Sequence, residues 1–175
     1  QLFGEETISR LNQLSVAVVG CSGTGSPVIE MLARLGVGRL VLVDPDVVEE
    51  RNLNRIINAT REDAVLGRRK VDVIAAAIAR MGLGTSVTRI ADNLATASAV
   101  RAVAECDVVF GCMGGAFGRN VLNRLATFYT LPYFDLGVAL EADGRGGISE
   151  ATGAVHFIQP DRSGLRDRRV YTSQQ

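Results

Sequence analysis

The sequence predicts an α/β fold, with a mostly parallel, doubly wound sheet, helices on both faces and a C-terminal antiparallel hairpin. Three observations lead to this fold class. Short apolar runs alternate with amphipathic helical patterns along most of the chain. The apolar runs are hydrophobic throughout, which is typical of parallel strands buried on both faces. A glycine-rich turn at residues 20–25 joins the first such run to a helix.

The first part of the chain predicts one complete βαβ unit. A helical pattern over residues 4–14 precedes an apolar strand at residues 16–19. Beyond the glycine turn, residues 27–35 predict a helix and residues 39–44 a second strand. A strand, a glycine turn, a helix and a parallel strand in this order make the fold Rossmann-like.

The remaining elements continue the alternation until the C-terminal hairpin. Residues 46–64 are polar and predict a loop. Helices are predicted at residues 70–81, 96–105 and 119–129, and strands at residues 86–90, 107–110 and 133–136. A turn at residues 144–147 and a strand at residues 154–158 predict the hairpin. We therefore expect one domain over residues 1–158, followed at residues 159–175 by a basic segment that is a flexible tail or the start of a further segment.

The composition is that of one globular domain. The chain has 175 residues, of which 47% are hydrophobic and 22% are charged. Nineteen basic and nineteen acidic residues cancel, which argues against a nucleic-acid or membrane partner. No apolar run approaches the roughly 20 residues of a membrane span. The three cysteines form no C-x-x-C pair, so we expect reduced thiols and a cytoplasmic protein.

The glycine turn and the acid after the second strand predict a nucleotide site. Gly20, Gly23 and Gly25 have no Cβ atoms to hinder the approach of phosphate, and the following helix offers free N–H groups. Asp44 follows about 20 residues later, where dinucleotide folds bind ribose hydroxyls. Ser22 interrupts the G-x-G-x-x-G pattern, so a ligand-free structural turn stays open. These features alone do not distinguish ATP from NAD.

The segment after the second strand does distinguish the two nucleotides. Residues 44–55 read DPDVVEERNLNR, and residues 67–70 read GRRK at the head of the next helix. These segments resemble the D-x-D-x-V-x-x-x-N-L-x-R and G-x-x-K signatures of the ThiF/MoeB/HesA/ubiquitin-activating superfamily. Their order and spacing extend the resemblance over residues 1–158.

The resemblance implies an ATP-dependent adenylyltransferase that activates a carboxylate and releases pyrophosphate. The substrate implied is the C-terminus of a ubiquitin-like or sulfur-carrier protein or of a peptide. By this analogy Asp44 and Asp46 belong to the nucleotide site, Asn52 contacts phosphate or ribose, and Arg55 and Lys70 are the catalytic cations. The resemblance also implies Mg²⁺ as a cofactor and a homodimer.

The chain departs from the superfamily pattern at the expected magnesium ligand. Gly114 occupies the position of an Asp that follows the fourth strand in relatives. The metal ligands are therefore unknown, with Asp135 and Asp46 as candidates. Arg119, which follows this turn, is expected either to position phosphate or to form a salt bridge.

The cysteines and the single histidine also bear on activity. Cys21, Cys106 and Cys112 do not lie where relatives form a thioester or bind zinc, so the chain supports adenylation rather than sulfur or modifier transfer. His156, the single histidine, lies in an apolar strand and is expected to be structural.

Two alternatives to the adenylyltransferase stay open. A nicotinamide-dependent oxidoreductase is permitted by residues 20–44 but disfavoured by the segment that follows them. A non-catalytic nucleotide-binding adaptor of the same fold is supported by Ser22, by Gly114 and by the missing cysteines.

Overall fold

A computed structural model describes residues 4–171. The strands of this part of the chain are β1 (Ser15–Val19), β2 (Arg39–Val43), β3 (Ser86–Ile90), β4 (Val108–Gly111), β5 (Tyr133–Ala142) and β6 (Ile148–Ile158). The helices are α1 (Glu5–Gln13), α2 (Gly25–Leu35), α3 (Arg61–Val65), α4 (Lys70–Met81), α5 (Ala97–Ala104) and α6 (Ala116–Tyr129). A short 3-10 helix covers Glu50–Asn52.

The strands form one sheet in the order β3-β2-β1-β4-β5-β6. Neighbouring strands from β3 to β5 are parallel, and β6 is antiparallel to β5. The predicted α/β fold, with its mostly parallel sheet and C-terminal hairpin, is confirmed. The strand order reverses between β1 and β4, and folds of this type bind ligands at the carboxyl ends of the strands on either side of that point.

Alternate residues of the central strands face two separate hydrophobic layers. Val16 and Val18 of β1 pack with α2 and α4, and Ala17 and Val19 pack with α5 and α6. All four are at most 2% exposed. Full burial of one Val or Leu side chain stabilises the fold by roughly 1.5–3 kcal/mol, which explains why these strands are apolar at every position.

The segment between β2 and α4 is more regular than the loop that the sequence predicted. It contains the 3-10 helix and α3. Thr60 begins α3 with a reciprocal cap: its hydroxyl accepts from the N–H of Asp63 at 3.2 Å, and its own N–H donates to the Asp63 carboxylate at 2.8 Å. This local bonding holds a short helix in a polar sequence that has no helical apolar stripe.

The C-terminal hairpin is longer than predicted, because β5 extends to Ala142 and β6 begins at Ile148 rather than at residue 154. Hydrogen bonding between the two strands, which local composition does not reveal, sets this length. The hairpin continues the face of the sheet on which Leu136 packs with the α2 and α4 layer. This face carries Val138, Leu140, Val155 and Phe157. They are 39% to 69% exposed, so the hairpin presents an uncovered apolar surface.

The chain after β6 packs against the core. Leu165 is fully buried and Tyr171 is 7% exposed, both in the layer that contains α6. The N–H of Leu165 donates to Oδ1 of Asn123 at 2.8 Å, and the Tyr171 hydroxyl lies 3.3 Å from Oδ1 of Asn120. These contacts join residues 165–171 to α6, and the division of the chain into residues 1–158 and 159–175 stays a prediction.

No helix within residues 4–171 is both long enough and apolar enough to cross a membrane.

Candidate functional site

A cleft of about 400 Å³ opens where the strand order reverses. Its walls come from the carboxyl ends of β1, β2 and β4 and from the start of α6. The lining includes Gly20 after β1, Asp44 after β2 and Met113 after β4. Chain segments distant in sequence therefore meet at the place where such sheets bind their ligands.

The glycine turn fits tightly against the end of β4. Gly20 has a φ of +92°, and a Cβ there would lie 2.8 Å from the carbonyl oxygen of Cys112. At Gly25, the first residue of α2, a Cβ would overlap the carbonyl oxygen of Gly20. Close backbone packing thus requires glycine at two of the three predicted positions. The same packing brings the N-terminus of α2 close to the cleft.

Asp44 is buried beneath this turn. Its Oδ2 accepts from the N–H of Cys21 at 2.7 Å, and its Oδ1 accepts from the N–H of Asp46 at 2.9 Å. The residue is only 5% exposed. Burial raises the pKa of the Asp44 carboxyl, and the two backbone hydrogen bonds and the nearby Lys70 oppose that rise.

Lys70 brings a buried positive charge to the same wall of the cleft. It is the first residue of α4, and its N–H donates to the carbonyl oxygen of Asp46 at 3.1 Å. Its Nζ lies 2.7 Å from Oδ2 of Asp46 and 3.9 Å from Oδ1 of Asp44. The side chain is only 7% exposed, so the ammonium is fixed at the wall of the cleft.

Arg55 does not line the cleft, but it packs against the glycine turn. A Cβ at Gly23 would lie 3.0 Å from Cδ of Arg55, so the arginine stem packs on this glycine. Its Nη1 donates to the carbonyl oxygen of Arg51 at 2.7 Å and to Oδ1 of Asn54 at 3.2 Å. Arg55 therefore contacts the predicted phosphate turn without lining the cavity.

Asn52 has a structural role. It is 4% exposed, and its Oδ1 accepts from the N–H of Glu49 at 3.1 Å. The N–H of Asn52 donates back to the carbonyl oxygen of Glu49 at 2.8 Å. These bonds hold the 3-10 helix, and Asn52 is not among the residues that line the cleft.

The structure thus divides the residues that the sequence singled out. Gly20, Asp44, Asp46 and Lys70 meet at the cleft. Gly23, Gly25, Arg55 and Asn52 lie around the turn without lining the cavity. The phosphate and ribose contacts assigned to these eight residues stay predictions.

The lining also includes residues that the sequence did not predict for the site, among them Asn93, Leu94, Met113 and Phe117. The first two follow β3, and a rule that inspects every residue after a parallel strand would have found them. Phe117 is 64% exposed on the first turn of α6, which begins at Ala116 rather than at residue 119. No sequence signal separates this phenylalanine from an ordinary core residue.

Arg119 forms a salt bridge behind the cleft. Its Nε lies 3.2 Å from Oδ1 of Asp135, and the Tyr133 hydroxyl donates to the same oxygen at 2.8 Å. Asp135 is 1% exposed, and its Oδ2 is buried without a hydrogen-bond partner in the described part of the chain. Of the two roles considered for Arg119, the structure shows the salt bridge, and it leaves Asp135 outside the cleft.

All three cysteines are buried. Burial, with a smaller contribution from Asp135, raises the pKa of the Cys112 thiol to about 12. Burial also raises the pKa of Cys21 well above its usual value and that of Cys106 above it. A protonated thiol is a poor nucleophile, so these side chains are suited to packing rather than to thioester chemistry.

The chain is similar in sequence to one protein family and to enzymes named as adenylyltransferases or activating enzymes. The family model described as ThiF family matches residues 1–172. The chain is 42% identical over 114 residues to the adenylyltransferase and sulfurtransferase MOCS3 of Bos taurus, covering 65% of this chain and 25% of that protein. It is 35% identical over 129 residues to the SAMP-activating enzyme E1 of Haloferax volcanii, covering 74% of this chain and 47% of the relative.

A solved structure shares the fold. The crystal structure of E. coli MccB with ATP matches with a TM-score of 0.69 at 27% sequence identity. The match covers 82% of this chain and 46% of the MccB chain. The chain therefore spans between a quarter and a half of the length of the proteins that it resembles.

Proposed function

Because this chain belongs to the ThiF family, we propose that it is an ATP-dependent adenylyltransferase that activates a carboxylate. The observation that carries the proposal is the pairing of a buried ammonium, Lys70, with a buried carboxylate, Asp44, at the wall of one cleft. A nucleotide offers matching chemistry, since its phosphates are anionic and its ribose hydroxyls donate hydrogen bonds. The resemblance to MccB, whose structure was solved with ATP, supports the same nucleotide.

In the proposed binding mode the ribose lies against Asp44, and the phosphates lie between the glycine turn and Lys70. The Asp44 carboxylate keeps acceptor capacity beyond its two backbone bonds, because each carboxylate oxygen has two lone pairs. The N-terminus of α2 adds N–H groups and a positive dipole end beside the phosphates. Arg55, which packs on Gly23, approaches the phosphates from the far side of the turn.

The proposed reaction is a displacement at the α-phosphorus of ATP. A carboxylate oxygen of the substrate forms a bond to this phosphorus, and the bond to the oxygen bridging to the β-phosphate breaks. The products are an acyl-adenylate and pyrophosphate, and no proton needs to move because the attacking carboxylate is already ionised. Catalysis then consists of holding two anions together and stabilising the charge that develops, which is the role proposed for Lys70 and Arg55.

We propose the C-terminal carboxylate of a ubiquitin-like or sulfur-carrier protein or of a peptide as the substrate. The similarity to a MOCS3 adenylyltransferase and sulfurtransferase and to a SAMP-activating enzyme E1 supports an acceptor of this kind. The protonated, buried cysteines of residues 4–171 support adenylation by this part of the protein rather than a later thioester step.

We also propose that two copies associate through the apolar face of the hairpin. Val138, Leu140 and Val155 are each more than 60% exposed on this face. Isolated exposed apolar residues are normal, but a contiguous apolar surface marks an interaction site. A second copy offers the same surface, as a two-fold interface requires.

The test of the function is ATP–pyrophosphate exchange driven by carboxylate-bearing proteins and peptides, together with thermal shift by ATP and by NAD. We expect carboxylate-dependent exchange and stabilisation by ATP at concentrations at which NAD has no effect. Stabilisation by NAD alone would instead favour the nicotinamide-dependent oxidoreductase.

A nucleotide-binding adaptor without catalysis is the second candidate. It is favoured by Gly114 and Gly115, which place two residues without side chains at the wall of the cleft. ATP-dependent stabilisation without exchange for any carboxylate would identify this function.

A further inference from the structure

We infer that a nucleotide in this cleft receives no carboxylate ligand from the protein on its Mg²⁺ ion, so that Lys70 and backbone N–H groups neutralise its phosphates directly. The inference rests on the proposed ATP site. Protein sites for Mg²⁺ combine one or two carboxylates with substrate phosphates and water. The carboxylates that line the cleft are those of Asp44 and Asp46, and both are committed to other partners.

Asp44 is committed to the fold. Each of its two oxygens accepts a backbone N–H, from Cys21 and from Asp46, and the residue is only 5% exposed. Mg²⁺ demands near-ideal octahedral geometry at about 2.0–2.1 Å and keeps several waters. The buried position of Asp44 leaves little room for such a hydrated ion, whereas a ribose hydroxyl needs only one lone pair.

Asp46 is committed to Lys70. The Asp46 side chain is 61% exposed, but its Oδ2 lies 2.7 Å from the ammonium, so a divalent cation on this carboxylate would face a fixed positive charge. Displacement of the ammonium is unfavourable, because the Lys70 side chain is only 7% exposed and its Nζ also lies 3.9 Å from Oδ1 of Asp44. Asp46 therefore orients Lys70 rather than a metal ion.

The part of the wall that follows β4 offers no oxygen ligand from a side chain. Gly114 and Gly115 line it without side chains, and Phe117 adds an apolar ring. Asp135 is a further buried acid, but it does not line the cleft: it is 1% exposed, its Oδ1 is bound to Arg119 and Tyr133, and its Oδ2 is buried without a hydrogen-bond partner in the described residues. Within residues 4–171 no group of three or more His, Cys, Asp or Glu side chains could hold a metal ion.

The position of Gly114 allows a direct test of this inference. A Cβ at Gly114 would meet no atom within 4 Å, and its φ is not in the left-handed region. Gly114→Asp therefore adds a carboxylate to the cleft wall without a steric clash. Gly114→Asn is the matched control, because it adds the same shape without the charge.

The experiment is isothermal titration calorimetry of ATP into the wild-type protein and both variants, once with excess MgCl₂ and once with EDTA. We expect the wild type to bind ATP in EDTA at least as tightly as in MgCl₂, because metal-free ATP carries more negative charge toward Lys70. Gly114→Asp is expected to weaken ATP binding in EDTA by about tenfold, because the new carboxylate repels the phosphates. Its affinity for ATP is expected to recover in MgCl₂. Gly114→Asn is expected to behave like the wild type.

Two results would overturn the inference. The first is a wild-type protein that binds ATP more than tenfold tighter in MgCl₂ than in EDTA, which would mean that the protein supplies a metal ligand. The second is equal behaviour of Gly114→Asp and Gly114→Asn, which would mean that this wall does not face the phosphates. A wild-type protein that binds no ATP in either buffer contradicts the proposed function itself, and the inference with it.

Discussion

The main-chain N–H of Cys21 donates to Oδ2 of Asp44 at 2.7 Å, which ties the glycine turn after β1 to the end of β2. One carboxylate therefore does two things: it fixes the turn and it keeps acceptor capacity at the cleft. Burial opposes its ionisation, as the raised pKa of Asp44 indicates. A carboxylate whose burial disfavours its ionised form and that lies at a cleft is a candidate functional group.

Asp44→Asn is expected to weaken ATP binding about tenfold, since one charge-assisted hydrogen bond to ribose is lost. The same change should also lower the free energy of unfolding at pH 7, because an amide has one acceptor oxygen for the two backbone N–H groups that the carboxylate binds. The raised folded pKa limits this loss, since the ionised form costs stability as pH rises from 3.8 through the folded value. Calorimetry and urea denaturation measure the two effects. Asp72→Asn, at an exposed ion pair with Arg89, is the control.

Lys70→Gln is expected to reduce ATP–pyrophosphate exchange by at least about 100-fold, because the cation proposed to act on the phosphates is lost. The amide keeps a hydrogen-bond donor near Asp46, so the fold should persist, and circular dichroism checks this. Arg61→Gln removes an exposed cation that pairs with Glu50 in the same connection and should leave exchange unchanged. Full exchange activity in folded Lys70→Gln would remove Lys70 from the mechanism.

Arg55→Ala is expected to lower exchange about 100-fold with a change in unfolding free energy below about 1 kcal/mol. Its hydrogen bonds are exposed ones to Arg51 and Asn54, and exposed polar contacts contribute little to stability. A loss of kcat with an unchanged KM for ATP would place Arg55 in the transition state. Arg51→Ala, which removes an exposed pair with Glu49, is the comparison.

The lowered pKa of Asp63 predicts that the protein loses stability at acid pH. Burial opposes its ionisation, but hydrogen bonds from Thr60 and Arg68 outweigh burial and lower the pKa of Asp63. The stabilisation that ionised Asp63 gives the fold is therefore present above pH 3.8, its ordinary pKa. It is lost as the pH falls through the lower pKa that Asp63 has in the folded protein. Asp63→Asn should be less stable than the wild type at pH 7, with the difference shrinking toward pH 2. Urea denaturation across this range measures it, with Glu62→Gln, an exposed neighbour, as the control.

Val138→Asp is expected to convert the proposed dimer into monomers, because it places a charge in the apolar face of the hairpin. Ala139→Asp is the matched control, since it puts the same charge one residue along β5, on the opposite face. Sedimentation velocity reads out the association state. Equal sedimentation of the wild type and both variants would contradict association through this face.

The sequence predicted the features that depend on local pattern. The βαβ unit, the glycine turn and the position of Asp44 after the second strand follow from the apolar runs and their spacing, and the structure reproduces each of them. Lys70 is identified only through the superfamily resemblance, and it lines the same cleft. These features can be predicted because parallel strands end at a common edge, whatever the details of packing.

Other features depend on contacts distant in sequence. Asn52 shares a signature with Arg55, yet it is used to cap a 3-10 helix behind the cleft. The burial of Leu165 requires α6 as a partner, and a basic segment gives no sign of it. The start of α6 at Ala116, which brings Phe117 to the cleft, is set by a glycine boundary that periodicity does not locate.

The walls of the cleft come from segments between Val19 and Gly118 in the chain, brought together at the ends of β1, β2, β3 and β4. A ligand that fits the pocket therefore binds only where these four strands are assembled. Such a ligand at 100 times its Kd would shift the folding equilibrium by about 2.7 kcal/mol.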